Sequence, residues 1–434
     1  VKLFFCAFLL FLNNSFLFSQ SKVLSFYRAE HKDGSELWTF YGKNISTCTL
    51  IIKQGNLLID SIRVQNFLKY KKYSFYRYNY TYKQNDEAID VFIKCNNKLL
   101  FEQKILKTST KDSLKFILGS CNLSRTDLGK TPPYFTKYLP TRKIVGSNKI
   151  FEAMNAEKSN FMLWLGDNVY YIGKRNHGDY DKMMYRQLKH RKNPSIKKFI
   201  NNNIHHTTWD DHDYGPNNSG GKFKRKWESR QVFNLFWSDT TDLVFDSNRI
   251  TKYFEKGDAA FFVLDVRWDR KEGETMLGKA QMQWLKDKLL SCEKPIKFIV
   301  SGSQVLNNST FTDTWSSFGN EREALFNFID TNRIKGIVFL TGDRHMSCLF
   351  SKTLNNGTIL YDYTSSALTS FSFPRKMSIK HDFPQPGFDK NSYTNARNYG
   401  TISVKRTDVG YDIDICTKDY KGKKIWNKTI KLIP

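Results

Sequence analysis

Phe161-Met-Leu-Trp-Leu165 runs straight into Gly166-Asp-Asn-Val-Tyr170, so an apolar stretch stops at a Gly-Asp pair and a tyrosine follows shortly after the aspartate. A short apolar run bounded in this way reads as a strand buried on both faces. Its carboxyl end is where open α/β sheets place their ligands. There, an aspartate and a loop tyrosine offer two anionic oxygens to a hard, highly charged cation. Taken alone, the same residues also describe a buried strand followed by a helix-capping aspartate.

Other strand-like runs end on polar residues of the same kind. Leu114-Lys-Phe-Ile-Leu118 leads to Gly119-Ser-Cys-Asn122, and Ile204-His-His-Thr-Thr-Trp209 leads to Asp210-Asp-His-Asp213. Ala259-Ala-Phe-Phe-Val-Leu264 ends in Asp265-Val-Arg267, Ile296-Lys-Phe-Ile-Val300 in Ser301-Gly-Ser-Gln304, and Gly336-Ile-Val-Phe-Leu-Thr341 in Gly342-Asp-Arg-His345. Together they supply a thiol, carboxylates, a phenol, an amide and a histidine. Those are too many ligand types for an ordinary structural zinc, and they suit a two-metal site.

The elements that must carry these residues follow from the pattern around them. Helix-like segments at Lys226–Asp239, Leu277–Leu290 and Glu321–Thr331 separate the strands, the last with Leu325, Phe328 and Ile329 at helical spacing. Strands alternating with helices give an α/β layered domain over 111–434, with the polar strand ends converging on one face. Strand alternation returns at Thr401-Ile-Ser-Val-Lys405 and Tyr411-Asp-Ile-Asp-Ile-Cys416, which should complete a sheet. Residues 21–110 read differently: short alternating runs at 49–53, 73–80, 88–94 and 99–104 predict an all-β sandwich with no candidate chemistry. The polar stretch Lys107-Thr-Ser-Thr-Lys-Asp-Ser113 reads as the linker.

The ordered set Gly-Ser-Cys-Asn, Gly-Asp-Asn-Val-Tyr, Trp-Asp-Asp-His-Asp, Leu-Asp-Val-Arg, Ser-Gly-Ser-Gln and Gly-Asp-Arg-His resembles the alkaline phosphatase D (PhoD-like) family of the metallophosphoesterase superfamily. Leu277-Gly-Lys-Ala-Gln-Met-Gln-Trp-Leu285 and Thr364-Ser-Ser366 fit it as well, and the resemblance spans 114 to about 405. It implies an α+β layered metallophosphoesterase-like sandwich behind the N-terminal β-sandwich. It further implies that Cys121, Asp167, Tyr170 and His345 surround a trivalent iron, with Asp167 bridging to a second site. Asp211 and Asp343 would serve that second site, with Asp210 and Gln304 as further candidates, and the ion there would be calcium or another divalent metal. His212 stands where the superfamily has its histidine. Asp211 replaces the superfamily's Asn, and Asp213 the commoner Glu.

The implied chemistry is hydrolysis of a phosphate ester, monoester or diester, by a metal-bound hydroxide. Asp167 would hold the cations that lower the pKa of the water. Arg267 and Asn122 would meet the phosphate, with Arg267 offsetting its developing charge, and His212 would protonate or orient the leaving alkoxide. Asp265 and Arg267 could equally form a plain salt bridge. His205 and His206 match no ligand position and are read as structural. Cys121 as a phosphatase nucleophile would need an Arg six positions on, where Asp127 stands, and no Gly-x-Ser-x-Gly elbow supports a serine hydrolase. The rival reading is a secreted polyanion-binding protein on an inactive scaffold, suggested by the formal net charge of +26. That charge is spread along the whole chain, and every main ligand position holds a competent residue.

Hydrophobic content of 40% with 15% aromatics supports sizeable cores and excludes global disorder. Residues 1–20 begin with a lysine and a nearly unbroken apolar run, as a secretory signal peptide does, so the protein is expected to be secreted or periplasmic, monomeric and without a membrane anchor once the leader is removed. Cys48 and Cys95 both fall in the first mature domain, where an oxidising compartment could pair them.

Overall fold

The structure is a computed structural model that describes residues 23–31, 34–83, 88–106, 114–124, 145–172, 177–237 and 249–433. The expected leader, linker and Asp127 lie outside those residues.

The amino-terminal part is built from β1 (Val23–Glu30), β2 (Glu36–Lys43), β3 (Cys48–Gln54), β4 (Leu57–Val64), β5 (Asn66–Tyr70), β6 (Tyr73–Tyr80), β7 (Ala88–Cys95) and β8 (Lys98–Leu106). They form two four-stranded sheets, in the orders β1-β2-β6-β5 and β4-β3-β7-β8. All their pairings are antiparallel. Phe26, Trp38, Phe40 and Tyr76 of the first sheet meet Leu50, Ile52, Val91 and Ile93 of the second in one apolar core. Cys48 and Cys95 sit directly opposite on β3 and β7 and form a disulfide.

The first sheet is not half-solvated, as alternation in an antiparallel sheet usually implies. Its other face, with Tyr27, Tyr41 and Phe75, packs on Phe236 and Trp237 of the helix Lys226–Trp237. Phe26 N–H also donates to Asn201 Oδ1 at 3.0 Å, and Gln103 Nε2 to the Asn201 carbonyl at 2.7 Å. Successive residues such as Phe40 and Tyr41 of β2, or Phe75 and Tyr76 of β6, therefore face a core on either side, which explains the aromatic density of these strands.

The larger part adds β9 (Leu114–Gly119), β10 (Phe161–Leu165), β11 (His205–Thr208), β12 (Lys252–Lys256), β13 (Ala259–Val263), β14 (Ile296–Ser301), β15 (Ile337–Thr341), β16 (Cys348–Thr353), β17 (Ile359–Thr364), β18 (Asn398–Thr407), β19 (Gly410–Asp419) and β20 (Lys424–Leu432). They make two six-stranded sheets, β11-β10-β9-β18-β19-β20 and β12-β13-β14-β15-β17-β16. Phe116, Leu163, Phe261, Phe298 and Leu340 come from both sheets and share one core between them. The helices Lys149–Asn155, Tyr180–His190, Pro194–Asn202 and Lys226–Trp237 cover the outer face of the first sheet. Gly278–Ser291 and Gly319–Thr331 cover the second. A strand buried under a helix on one side and a sheet on the other favours apolar residues at every position, which accounts for the unbroken runs at 161–165, 259–263 and 337–340.

β9, β10 and β11 run parallel, as do β13, β14, β15 and β17. The carboxyl ends of the central strands of both sheets therefore open on one edge, and glycines let them approach there. Gly342 follows β15 of the second sheet, and a Cβ on it would lie 2.6 Å from the Leu165 carbonyl oxygen and 2.8 Å from Ser120 Cβ, both in the first sheet's strand ends. Gly342→Ala is expected to destabilise the fold by roughly 1–3 kcal/mol, the usual cost of overpacking. Urea denaturation of the purified variant checks it, and an unchanged midpoint would show that the two strand ends tolerate separation.

Candidate metal centre

Four residues at that edge hold left-handed backbone conformations without being glycine: Cys121 (φ 57°), Asp167 (φ 55°), Asp343 (φ 64°) and His345 (φ 54°). Such a conformation is uncommon for residues with a Cβ, and several together mark a place where the fold overrides local preference. Each turns a side chain back toward the strand edge from the first loop residues.

Asp167 is at the centre. Its Oδ2 accepts from the Tyr170 hydroxyl at 2.8 Å and lies 3.5 Å from Cys121 Sγ, while its Oδ1 accepts the His212 backbone N–H at 3.1 Å. Cys121 Sγ also takes the Ser366 hydroxyl at 3.1 Å. Three groups of side chains bring their ligand atoms within 4.8 Å of one another: Cys121 with Asp167 and His345, Asp167 with Asp211 and His212, and Asp210 with Asp211 and Asp343. Asp167 belongs to the first two and Asp211 to the last two, so the groups form one continuous chain of side chains that could hold metal ions.

The surroundings orient these side chains. Asp213 reaches from the short helix Asp211–Tyr214 to the loop after Asp167, accepting Asn168 N–H at 3.0 Å on Oδ2 and Val169 N–H at 3.0 Å on Oδ1. His345 Nδ1 faces the Phe371 carbonyl at 2.6 Å, which must be its donor side, so Nε2 is left as the ligand nitrogen. Arg344 does not face the cluster; it pairs with buried Asp382 at 2.6 Å and ties the His345 loop to the helix Arg375–His381. The His212 ring stacks on Tyr170 with centroids 4.3 Å apart and keeps 22% of its side chain exposed, which places it at the mouth.

Several sequence expectations are corrected here. Arg267 pairs with Asp210 and Asp313 rather than Asp265: its guanidinium is fully buried, with Nε 2.5 Å from Asp210 Oδ1 and Nη1 2.9 Å from Asp313 Oδ2. Asp265 instead organises its own loop, accepting Trp209 Nε1–H and the Arg267 and Trp268 backbone N–H groups on Oδ1. Asn122 is fully buried and spends its amide on the Asn168 carbonyl, His190 and Thr369. Gln304 donates its amide N–H to Thr364 Oγ1 at 2.7 Å and accepts from Asn307 Nδ2 on its oxygen at 2.9 Å, and it is not among the groups that converge around Asp167 and Asp211. His205 and His206 are buried against Trp164 and Phe254, respectively, as structural residues would be. Asp313, Asp213 and Ser366 were not assigned a part. Asp213 and Ser366 carried a signal through their motifs, Trp-Asp-Asp-His-Asp213 and Thr364-Ser-Ser366, whereas Asp313 carried none.

Burial and the neighbouring carboxylates push Asp167 well above the usual carboxylate range. Burial outweighs Arg267 and does the same to Asp210. Burial, Asp211 and Asp313 raise Asp343 to about 7. Burial and Asp167 also hold the Cys121 thiol and the Tyr170 phenol protonated. Asp211 goes the other way: burial would raise it, but His212 and Arg267 outweigh burial and hold it below the usual carboxylate range. Without a cation Asp167, Asp210, Cys121 and Tyr170 therefore hold on to their protons, and a cation that binds must displace them. The donor set fits cations on a further count: Asp210 Oδ2 and Asp211 Oδ1 are buried and find no hydrogen-bond donor among the described residues. A buried oxygen of that kind is costly unless something positive meets it.

Two helix-covered sheets with acidic ligands at their shared edge define a metallophosphoesterase architecture. The family model for PhoD-like phosphatase matches residues 137–413, and the chain belongs to that family. Alkaline phosphatase D of Bacillus subtilis (strain 168) is 25% identical over 254 residues, 45% of this chain and 43% of that protein, so the match spans less than half the relative's length. A solved structure of PhoD superposes with a TM-score of 0.71 at 16% identity, covering 94% of this chain and 92% of that one. A purple acid phosphatase isolated from yellow lupin (Lupinus luteus) seeds gives 0.63 at 11% identity, covering 95% and 74%. At these identities the two structures speak to the fold.

Proposed function

We propose that the protein is an exported, metal-dependent phosphoester hydrolase. The observation that carries this reading is the continuous chain of ligand groups joined through Asp167 and Asp211 at one strand edge. Cys121, Asp167, Tyr170 and His345 would hold a trivalent ion, for which iron is the best match. A thiolate, a phenolate and a carboxylate bring negative charge and polarizability that magnesium or calcium would not select. Asp210, Asp211 and Asp343 offer oxygen alone and suit calcium or another hard divalent ion. When bound, the cations supply the Lewis acidity that makes water nucleophilic near neutral pH and offsets charge developing on the phosphate.

The chain's own residues do the rest. Asp167 fixes the spacing of the two sides. Tyr170 stacks on the His212 ring and, until a cation takes its oxygen as phenolate, its hydroxyl holds Asp167 in place. His212, at the mouth and beside Asp211, is placed to meet the leaving oxygen. Export is supported by the Cys48–Cys95 disulfide, a bond that persists in oxidising compartments. No helix among the described residues is long and apolar enough to cross a membrane.

Metal analysis of protein purified without chelator, joined to monoester and diester assays, tests the reading. A folded protein that binds no metal and hydrolyses neither ester would overturn it. The iron assignment has its own test. Phenolate and thiolate on ferric iron should give a visible charge-transfer band that weakens or shifts in Tyr170→Phe and changes strongly in Cys121→Ser. A colourless, fully active protein containing only zinc would refute iron and leave the hydrolase reading standing.

A further inference from the structure

Beneath the Asp210–Asp211–Asp343 group lies a buried block of two arginines and two aspartates. Asp210 Oδ1 accepts Arg267 Nε–H at 2.5 Å and lies at the same distance from Arg267 Nη2. Arg267 Nη1 sits 2.9 Å from Asp313 Oδ2, and Arg270 Nη1 meets that same oxygen at 2.6 Å. Side-chain exposure is 0% for Arg267 and Asp210, 3% for Arg270 and 4% for Asp313. The two guanidiniums are thus held around one shared anion, which also fixes how far Arg267 can reach.

We propose that Asp313 is a positioning residue for the divalent-ion site. Held between Asp313 and Asp210, Arg267 engages only Oδ1 of Asp210 and leaves Oδ2 for a cation. Without the Asp313 charge, two buried guanidiniums lose their common partner. Arg267 then has one carboxylate fewer to balance its charge beside the ligands and is free to close over both oxygens of Asp210. Either change opposes a divalent ion, and partners behind metal ligands typically govern affinity by roughly 10–100-fold. Asp313 touches no ligand atom of the Cys121–Asp167–His345 group, so the trivalent side should be spared.

This inference rests on the two-cation reading, and the test separates the two. Calcium binding to the full chain is measured by isothermal titration, with iron content determined on the same samples. Wild type, Asp313→Asn, Asp313→Glu and Arg267→Lys are compared. Asp313→Asn should weaken calcium binding by at least about tenfold with iron per chain unchanged, and Asp313→Glu should recover part of the loss. Arg267→Lys, which keeps the charge but cannot reach both aspartates, should also weaken calcium, and it decides the matter if Asp313→Asn does not fold. Failure of the wild type to bind calcium would sink the divalent assignment itself. Wild-type calcium affinity in folded Asp313→Asn, or equal loss of iron and calcium, would overturn the positioning role.

Discussion

Asp167→Asn is expected to give a folded protein whose phosphoester turnover falls by at least about 10³-fold, roughly 4 kcal/mol of transition-state stabilisation. The fold should survive for reasons visible at the residue. Asn has the shape of Asp and tolerates the left-handed backbone that position 167 adopts at φ 55°. Its amide oxygen can keep the His212 N–H, and its NH2 would face the Tyr170 hydroxyl and Cys121 sulfur, both able to accept. That same NH2 has no lone pair for a cation and none of the carboxylate's charge. Because Asp167 belongs to both the Cys121 and the Asp211 groups, both sides lose a ligand at once. Turnover measured beside circular dichroism and metal content checks this. A folded, metal-loaded Asp167→Asn protein working at the wild-type rate would rule out the shared-ligand arrangement.

What the chain reveals before folding is uneven, and the unevenness has a physical basis. Strands β10, β13 and β15 are legible because burial on two faces demands unbroken apolar runs, β9 and β14 although a single lysine (Lys115, Lys297) interrupts theirs, and the polar residues that follow all five mark their ends. Those strand ends showed one polar face, and the resemblance to the PhoD-like family then named Cys121, Asp167, Asp211, Asp343 and His345 as neighbours although up to 224 positions separate them. Side-chain direction is not legible in the same way. Arg267, Asn122 and Gln304 follow strand ends too, but each turns into the protein, toward Asp210 and Asp313, His190 and Thr369, or Thr364 and Asn307. Polar residues near a charged cluster serve either as contacts to a ligand or as supports for those contacts, and residue type alone does not separate the two. Asp313 was invisible for a related reason. It lies on irregular chain before the 3-10 turn Trp315–Phe318, where no periodicity announces a position. The amino-terminal sandwich was readable as β, but its docking face was not, since Tyr and Phe alternate as readily with each other as with polar residues.

His212→Ala is expected to slow esters with poor leaving groups by roughly 10²–10⁴-fold and those with good leaving groups much less. Help to a departing oxygen matters in proportion to the basicity of that oxygen. The manner of the help can be read from the ring's surroundings. Burial lowers the His212 pKa from its ordinary value, although Asp211 acts in the opposite direction, so the folded imidazole is neutral at neutral pH. A group with a lowered folded pKa carries its proton only below that value, and a cation bound beside it would lower it further. If protonated His212 supplied the proton, the advantage of wild type over His212→Ala would fade as pH rises through the lowered pKa and be absent in alkaline solution. A neutral ring orienting the leaving oxygen through one N–H keeps its advantage on the alkaline side, as neutral imidazole does in other enzymes. The structure favours the neutral ring: Tyr170 fixes its plane by stacking at 4.3 Å, which suits a directed hydrogen bond. The rate ratio of wild type to His212→Ala, taken with poor-leaving-group esters across acid and alkaline pH, should therefore stay high where the imidazolium is gone, and His212→Gln should recover part of the rate. Equal losses for good and poor leaving groups would make His212 a ligand or a packing residue instead.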